Sequence, residues 1–394
     1  MTLPPLSLYV HIPWCVRKCP YCDFNSHNAP DTLPQREYVE ALLADLDRDL
    51  PLAQGRPLRS IFFGGGTPSL FSPDSIARIL DGANARLDFA PGIEITMETN
   101  PGTVEHGDFA AYRRAGVNRL SFGVQSFDDG ALKRIGRIHD ARQAERAIKR
   151  AQDDGLDNLN LDLMYALPQQ TLDAALADVD RALAFATPHL SHYQLTLEPN
   201  TAFAANPPAL PDEDSAWDMQ EACQARIAAA GFGHYEVSAY ARPGRESAHN
   251  LNYWRFGDYL GIGAGAHGKY SCAAADGALE VHRRWKLRAP RGYLEHAKSE
   301  RVIGGDDAVA VEQLPFEFML NGLRLTAGIP LAEFHATTGL GLDAIRAEVD
   351  EAVERGWLAV DERNLLPTET GQRFLNDLIS LFLPDKKAPA TEAR

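Results

Sequence analysis

Cysteine is scarce in this chain, positive charge is in the minority, and no long apolar run interrupts it. Five cysteines in 394 residues are too few for a disulfide-braced scaffold. Thirty-nine Lys and Arg against 54 Asp and Glu leave a formal charge of −15, so the surface field repels polyanions and no nucleic-acid partner is expected. No stretch of about 18 apolar residues occurs, so stable membrane insertion is not expected and only peripheral association is left open. The opening Met1-Thr2-Leu3-Pro4-Pro5 carries neither a basic segment nor an apolar core of a leader, which makes a cytoplasmic protein the expectation. A composition of 45% hydrophobic and 24% charged residues is that of a globular protein and excludes disorder, collagen or coiled coil as whole-chain descriptions.

What cysteine there is sits together. Cys15, Cys19 and Cys22 form C-x3-C-x2-C inside Val10–Phe24, while Cys223 and Cys272 stand far along the chain. Disulfide pairing is disfavoured by the odd number, the short spans and a reducing compartment. A structural zinc site wants four ligands and a second pair at finger spacing, which the chain does not supply. A chance group of buried thiols is a third reading. The fourth is a [4Fe–4S] cube held by three thiolates, whose remaining iron lacks a protein ligand and is open to an external chelator.

Apolar, β-rich runs alternate with helical patterns. Strands are expected at Leu8–Ile12, Ser60–Phe63, Ile93–Glu98, Arg119–Val124, Leu159–Met164 and Ser191–Leu197, and helices at Arg36–Leu50, Pro73–Leu87, Val104–Ala115, Ala141–Asp153 and Leu172–Phe185. That alternation argues for an α/β fold with a parallel sheet in a complete or partial β/α barrel, which reacts at the C-terminal ends of its strands. Chemically competent residues follow those ends. The cysteine loop follows the first strand and Gly64-Gly65-Gly66-Thr67-Pro68-Ser69 the second, a turn whose backbone can approach a ligand closely but which also fits a plain tight turn. Glu98-Thr99-Asn100-Pro101 closes the third, where the acid can accept from ribose hydroxyls or simply be solvated. Ser121–Ser126 closes the fourth, with Arg137-Ile138-His139 after it, and Asp162 lies in the apolar fifth strand. A buried carboxylate needs a cation or donor, so Arg137 is either its ion-pair partner or a clamp on a ligand carboxylate.

These segments resemble the radical S-adenosylmethionine (SAM) superfamily, on C-x3-C-x2-C and the GGGTPS turn one strand later. From Leu8 to about Lys269 the chain is similar to the branch that holds oxygen-independent coproporphyrinogen III oxidases and the HemW haem chaperones. The matching segments include Leu8–Pro13, Phe62–Pro68, Asp162–Pro168, His234–Ser238 and Gly261-Ile262-Gly263-Ala264-Gly265-Ala266-His267. The resemblance implies a partial (β/α)6 barrel in which Cys15, Cys19 and Cys22 hold the cluster and the free iron is chelated by the amino and carboxylate groups of SAM. It implies that the glycine turn receives the SAM ammonium, that Tyr9, Gly65, Gly66, Thr67, Glu98, Gln125, Arg137 and Asp162 contact SAM, and that Tyr21 lies near its adenine. Within the branch, an oxidase is expected to carry a further cysteine two residues after Cys22, where this chain has Phe24. His249-Asn250-Leu251-Asn252-Tyr253-Trp254 looks like the HNxxYW motif of the HemW family. An imidazole can ligate haem iron and aromatic rings offer faces to a porphyrin, so His249 is a candidate haem ligand, with a packing role as its rival.

The expectation is therefore a haem chaperone binding [4Fe–4S], SAM and haem, with a haem acceptor protein and a reducing electron donor as partners. The alternative is a coproporphyrinogen III oxidase, converting propionates to vinyls by radical oxidative decarboxylation. Reductive SAM cleavage and oxygen sensitivity accompany either, and no catalytic side chain is assigned because the chemistry belongs to the cofactors.

The pattern changes near Val302. Helices at Gln313–Leu325, Leu331–Thr338, Leu342–Arg355 and Glu369–Phe382, with a turn-bearing pair of strands in Trp357–Leu366, suggest a mainly helical winged-helix-like domain. The expected organisation is a barrel with its extension over 1–300, the winged-helix-like domain over 301–384 and a disordered tail over 385–394. Leu342–Arg355 carries five acids against two arginines, which opposes phosphate contact, so a lid or docking surface is preferred to nucleic-acid binding. The basic run His282-Arg283-Arg284-Trp285-Lys286-Leu287-Arg288 is open to two readings: a site for propionates or an acidic partner, or a solvated connector.

Overall fold

The structure is a computed structural model that describes residues 3–103, 108–274 and 277–384. The tail over 385–394 and the start of the helix expected at Val104 lie outside the described residues. Six strands, β1 (Leu6–Ile12), β2 (Leu58–Gly65), β3 (Phe89–Thr99), β4 (Arg119–Gln125), β5 (Leu159–Tyr165) and β6 (His189–Gln194), run parallel in chain order. Helices α1 (Gln35–Ala53), α2 (Pro73–Asn84), α3 (Phe109–Ala115), α4 (Ala141–Asp153) and α5 (Leu172–Leu183) alternate with them, giving the expected partial (β/α)6 barrel.

Local chemistry accounts for these elements. β1 is buried on both faces, as parallel strands between layers are, and reads as a nearly unbroken apolar run. Its one buried hydroxyl, Ser7, is matched by Ser60 of β2 at 2.7 Å, so neither is left unpaired in the core. Ser72, Asp108, Asp140 and Thr171 cap the N-termini of α2 to α5, Asp140 in a reciprocal capping box with Gln143.

The sheet continues at both ends. An antiparallel pair, β7 (Gly233–Glu236) and β8 (Ala239–Ala241), joins through β8 to β6. At the other end β9 (Asp258–Ile262) is parallel to β1, followed by antiparallel β10 (His267–Ala273), β11 (Leu279–Lys286) and β12 (Ile303–Ala308). The twelve strands run β12-β11-β10-β9-β1-β2-β3-β4-β5-β6-β8-β7. Because β12 is hydrogen-bonded to β11, the first unit extends beyond the boundary expected at 300/301.

Buried ion pairs fasten the extension to the barrel. The ammonium of Lys286, 1% exposed, lies 2.6 Å from Asp45 and 2.7 Å from Asp49 on α1, and the Tyr293 hydroxyl donates to Asp45 at 2.8 Å. Arg284 reaches Asp49 and Asp306, and Arg283 pairs with Glu317. Lys269 and Arg56 meet the buried Asp258 at 2.9 and 2.6 Å. Most of the basic run is thus held by carboxylates of this chain: three of its cations are committed inside the fold, which corrects the solvated-connector reading and narrows the other to Arg288. Charges are tolerated in such a seam only because each is paired and hydrogen-bonded.

After β12 come helices Leu314–Gly322, Leu331–Thr338 and Arg346–Glu354 and a three-stranded sheet of Ile329–Pro330, Asn364–Pro367 and Leu358–Val360. They enclose a second core around Phe318, Phe334, Ile345, Leu365 and Leu378, to which Phe256 and Val281 of the first unit contribute. Among the described residues no helix is long and apolar enough to cross a membrane.

Candidate functional site

The C-terminal ends of β2 to β6 and the loop after β1 surround one cavity of 480 Å³. Cys15, Cys19 and Cys22 line it together with Tyr21, Gly65, Gly66, Thr67, Glu98, Gln125, Arg137 and Asp162, so segments spread over some 150 residues converge as the strand-end rule predicts. The cysteine loop is closed on itself where Trp14–Cys15 pairs with His27–Asn28, and is pinned where His11 Nε2 meets the Asn25 carbonyl at 2.9 Å. Asn25 Nδ2 in turn donates to the carbonyls of Ala264 and Arg288, both at 2.9 Å.

The three thiols are free and partly exposed. Among the described residues the only Cys, His, Asp and Glu group gathered within 4.8 Å is Cys272, Glu280 and His282, on β10 and β11. The three cysteine sulfurs are not gathered into such a group. Soft thiolates set apart on one loop suit the separate corners of an iron–sulfur cube. Burial pushes the Cys15 and Cys22 thiols up, partly offset at Cys15 by a hydrogen bond with the Thr67 hydroxyl, so metal loading must displace their protons.

The glycine turn lets backbone stand where side chains would not fit. At Gly65, φ is +106° and a Cβ would come within 2.7 Å of both ring nitrogens of His11; at Gly66 it would come within 2.5 Å of the Trp14 carbonyl oxygen. The Gly65 N–H donates to Glu98, which burial, reinforced by Asp162, pushes up to about 8. Asp162 is raised as well, chiefly by burial, against hydrogen bonds from Asn160 Nδ2 at 2.8 Å and Ser121 Oγ at 3.0 Å. The charge of Arg119, on the same cavity wall, offsets only part of the burial at Asp162, which leaves room for a further cation beside the two acids.

Arg137 does not supply it. One terminal nitrogen donates to the Gly123 carbonyl at 2.6 Å, the other lies 3.6 Å from Cys19 Sγ, and its buried Nε has no partner among the described residues. Of the two readings of Arg137, the ion pair with Asp162 is thus not formed, because Gly123 and the cysteine loop hold the guanidinium instead. An orphaned donor beside the thiols and two under-neutralised acids opposite suit a zwitterionic, cationic ligand with hydroxyls, which is the donor and acceptor set of SAM. Gln125, at φ +69°, accepts from the Tyr193 hydroxyl at 2.9 Å through Oε1 and so keeps its NH2 clear of that bond. The Tyr21 ring lies 6.4 Å from that of Phe203, on the cavity wall.

Two of the expected residues lie elsewhere. Tyr9 lines an adjoining cavity that shares Gly65, Glu98 and Phe24 with the first, its hydroxyl 3.0 Å from His11 Nδ1. His249 is 1% exposed and lines neither cavity. Its Nδ1 bonds Ser60 Oγ at 3.0 Å, and its ring stacks on Phe62 at 4.9 Å and meets Tyr253 edge-on at 4.6 Å. This arrangement is the packing role; reaching iron would require helix Ala248–Trp254 to open. Asn160, His189, Ser191 and Tyr193 were not anticipated, although all line the first cavity. Their signal in the sequence is the period-two alternation of polar residues inside β4 to β6, away from the strand ends.

Residues 9–182 match the model of the radical SAM superfamily, and residues 309–374 that of the HemN C-terminal domain. A protein of Escherichia coli described as heme chaperone HemW is 52% identical over 385 residues, covering 97% of this chain and 99% of its own. The Bacillus subtilis protein of the same description is 33% identical, covering 96% and 99%. Mouse radical S-adenosyl methionine domain-containing protein 1, mitochondrial, is 34% identical, covering 96% and 87%. The solved coproporphyrinogen III oxidase HemN of Escherichia coli, a radical SAM enzyme, superposes with a TM-score of 0.80 at 22% identity, over 96% of this chain and 90% of its own, a likeness of fold.

Proposed function

Since the chain belongs to the radical SAM superfamily and, within it, to the HemW haem-chaperone family, we propose that it binds a [4Fe–4S] cluster, SAM and haem and passes haem to an acceptor protein. The observation that carries this reading is the single cavity in which three thiols on one loop face Glu98 of β3, Gln125 of β4, Asp162 of β5 and Arg137 of the segment after β4.

In this reading Cys15, Cys19 and Cys22 hold three irons, and the backbone of Gly65 and Gly66 receives the SAM ammonium. Glu98 accepts from the ribose hydroxyls, Asp162 and Gln125 bound the nucleoside side, Arg137 offers its free Nε to a carboxylate, and Tyr21 stands beside the adenine. When bound and reduced by an external donor, the cluster supplies the electron that cleaves SAM. The protein's own part is to exclude water and to hold charge: Glu98, pushed up to about 8 by burial, becomes an anion once a cationic ligand faces it, and the same ligand favours the charged form of Asp162. A cytoplasmic setting suits thiols that must stay reduced.

Phe24, 56% exposed, supports the chaperone over an oxidase, because the position offers no thiolate where the oxidase branch is expected to have one. The test is an anaerobic haem titration of the reconstituted protein beside a coproporphyrinogen turnover assay. Saturation near one haem per chain without conversion of propionates is expected; turnover without haem binding overturns the reading.

A further inference from the structure

We infer that haem docks in the second cavity, with His267 as the axial ligand of its iron and Arg288 facing a propionate. This rests on the chaperone reading and adds to it the place and the ligand. The cavity, 580 Å³, opens between the start of β10, the end of β11 and the cysteine loop. Tyr253, Tyr259, Trp285 and Phe24 contribute aromatic surface to it, the kind of wall a flat macrocycle requires.

His267 is delivered there by the glycine-rich segment after β9. A Cβ on Gly261 would collide with the His267 carbonyl, so only glycine lets the chain double back closely enough to start β10 with this histidine at the cavity. The ring is exposed, lies near-parallel to Trp285 at 6.2 Å, and makes no hydrogen bond through either nitrogen among the described residues. Burial, with Arg283 and Arg288 nearby, lowers its pKa, so the neutral imidazole that binds iron is the resting form at pH 7.

Other histidines near the two cavities are bonded at both nitrogens or sealed from them. His11 bonds Tyr9 and the Asn25 carbonyl and His189 bonds Asn160 and Tyr235, while His249 bonds Ser60 through Nδ1 and keeps an unpartnered Nε2 that is buried beneath Phe62. The basic strand shows the same contrast. Arg283, Arg284 and Lys286 each hold carboxylates of this chain, whereas the exposed side chain of Arg288 has no ion pair among the described residues and lines the cavity. A guanidinium is the group best shaped to take a carboxylate. The lining contains one carboxyl, Glu98, on the wall shared with the first cavity. Haem so placed lies beside the SAM site, with Phe24 belonging to both cavities.

The test titrates haem into the anaerobically reconstituted full-length chain and its His267→Ala, Arg288→Ala and His249→Ala variants, following the Soret band. Iron content and far-UV circular dichroism check folding. His267→Ala is expected to shift the band and weaken binding at least about tenfold, with added imidazole restoring the band. Arg288→Ala is expected to weaken binding a few-fold at an unchanged band position, and His249→Ala to leave the band in place. A parent that binds haem while His267→Ala keeps both its band and affinity overturns this assignment and leaves the chaperone reading standing. Loss of the band in His249→Ala alone moves the ligand to that residue and overturns it too. A parent that binds no haem overturns both.

Discussion

Substituting alanine for Gly65 measures how tightly the turn after β2 is built around its ligand-facing backbone. At φ +106° an L-residue bears a backbone cost of about 1–2 kcal/mol. The new Cβ would also stand within 2.7 Å of both His11 ring nitrogens. That ring cannot swing aside freely, because Tyr9 holds one nitrogen at 3.0 Å and the Asn25 carbonyl the other at 2.9 Å. Displacing it breaks a hydrogen bond or overpacks the turn, about 1–3 kcal/mol more, for a total of roughly 2–5 kcal/mol. Gly92 is the control: its φ is +73° and nothing lies within 4 Å of its would-be Cβ, so Gly92→Ala bears the backbone cost alone. Urea unfolding of the two variants, accepted only where the transition slopes agree, isolates the difference. Gly65→Ala should also lose SAM affinity by calorimetry, since the Gly65 N–H positions Glu98. If the two variants differ in stability by less than about 0.5 kcal/mol, the claim that this turn has no room for a side chain is refuted.

Cys19→Ala, reconstituted anaerobically, should fall clearly short of four irons per chain and lose the cluster absorbance; a full complement with an unchanged spectrum would rule out its role as a ligand. Glu98→Gln and Asp162→Asn should each weaken SAM binding by about tenfold, a loss of roughly 1.4 kcal/mol, while parent-like affinity in both would remove them from the site. Lys286→Met leaves Asp45 and Asp49 buried without their shared cation and should cost about 3–5 kcal/mol, read as a lowered unfolding midpoint. His249, held neutral by burial with a pKa pushed down to about 3, contributes stability that is complete above pH 6.5 and is lost as pH falls from there toward 3. Comparing parent and His249→Phe at pH 7.5 and 5, the variant should show a shallower acid loss, by up to about 1.4 kcal/mol per pH unit; equal slopes would mean the ring is not buried neutral.

The barrel was legible because its strands are short apolar runs and its helices begin at side-chain caps, both local properties. β1 to β6 lie within a few residues of the expected spans, and the three cysteines, the glycine turn, Glu98, Gln125 and Asp162 meet in one cavity because strand ends are where such barrels converge. The extension was less legible. Its strand β11 carries Arg284 and Lys286, which read as solvated charges until partners more than 200 residues away, Asp45 and Asp49, are known. For the same reason sequence left Arg137 open between pairing with Asp162 and clamping a ligand carboxylate: both residues lie at the cavity, but which neighbour holds each is a tertiary fact. Arg137 faces Gly123 and Cys19, and Asp162 is satisfied by Ser121 and Asn160.

The two histidines carry that lesson to the chemistry. From sequence His249, in its aromatic motif, was the candidate iron ligand, and His267 stood only as the end of a glycine-rich segment. What ranks them is access to their ring nitrogens. The Nε2 of His249 has no partner but is buried, so an imidazole stacked on Phe62 must break packing to bring it to a metal, a cost that subtracts from the affinity it could provide. An exposed imidazole with no hydrogen bond among the described residues, its pKa lowered by its surroundings and by two arginines, has no such packing to break. Burial makes His249 the better structural residue for the reason that makes it the poorer ligand, and the glycines before His267 are what allow the second histidine to remain free at a cavity edge.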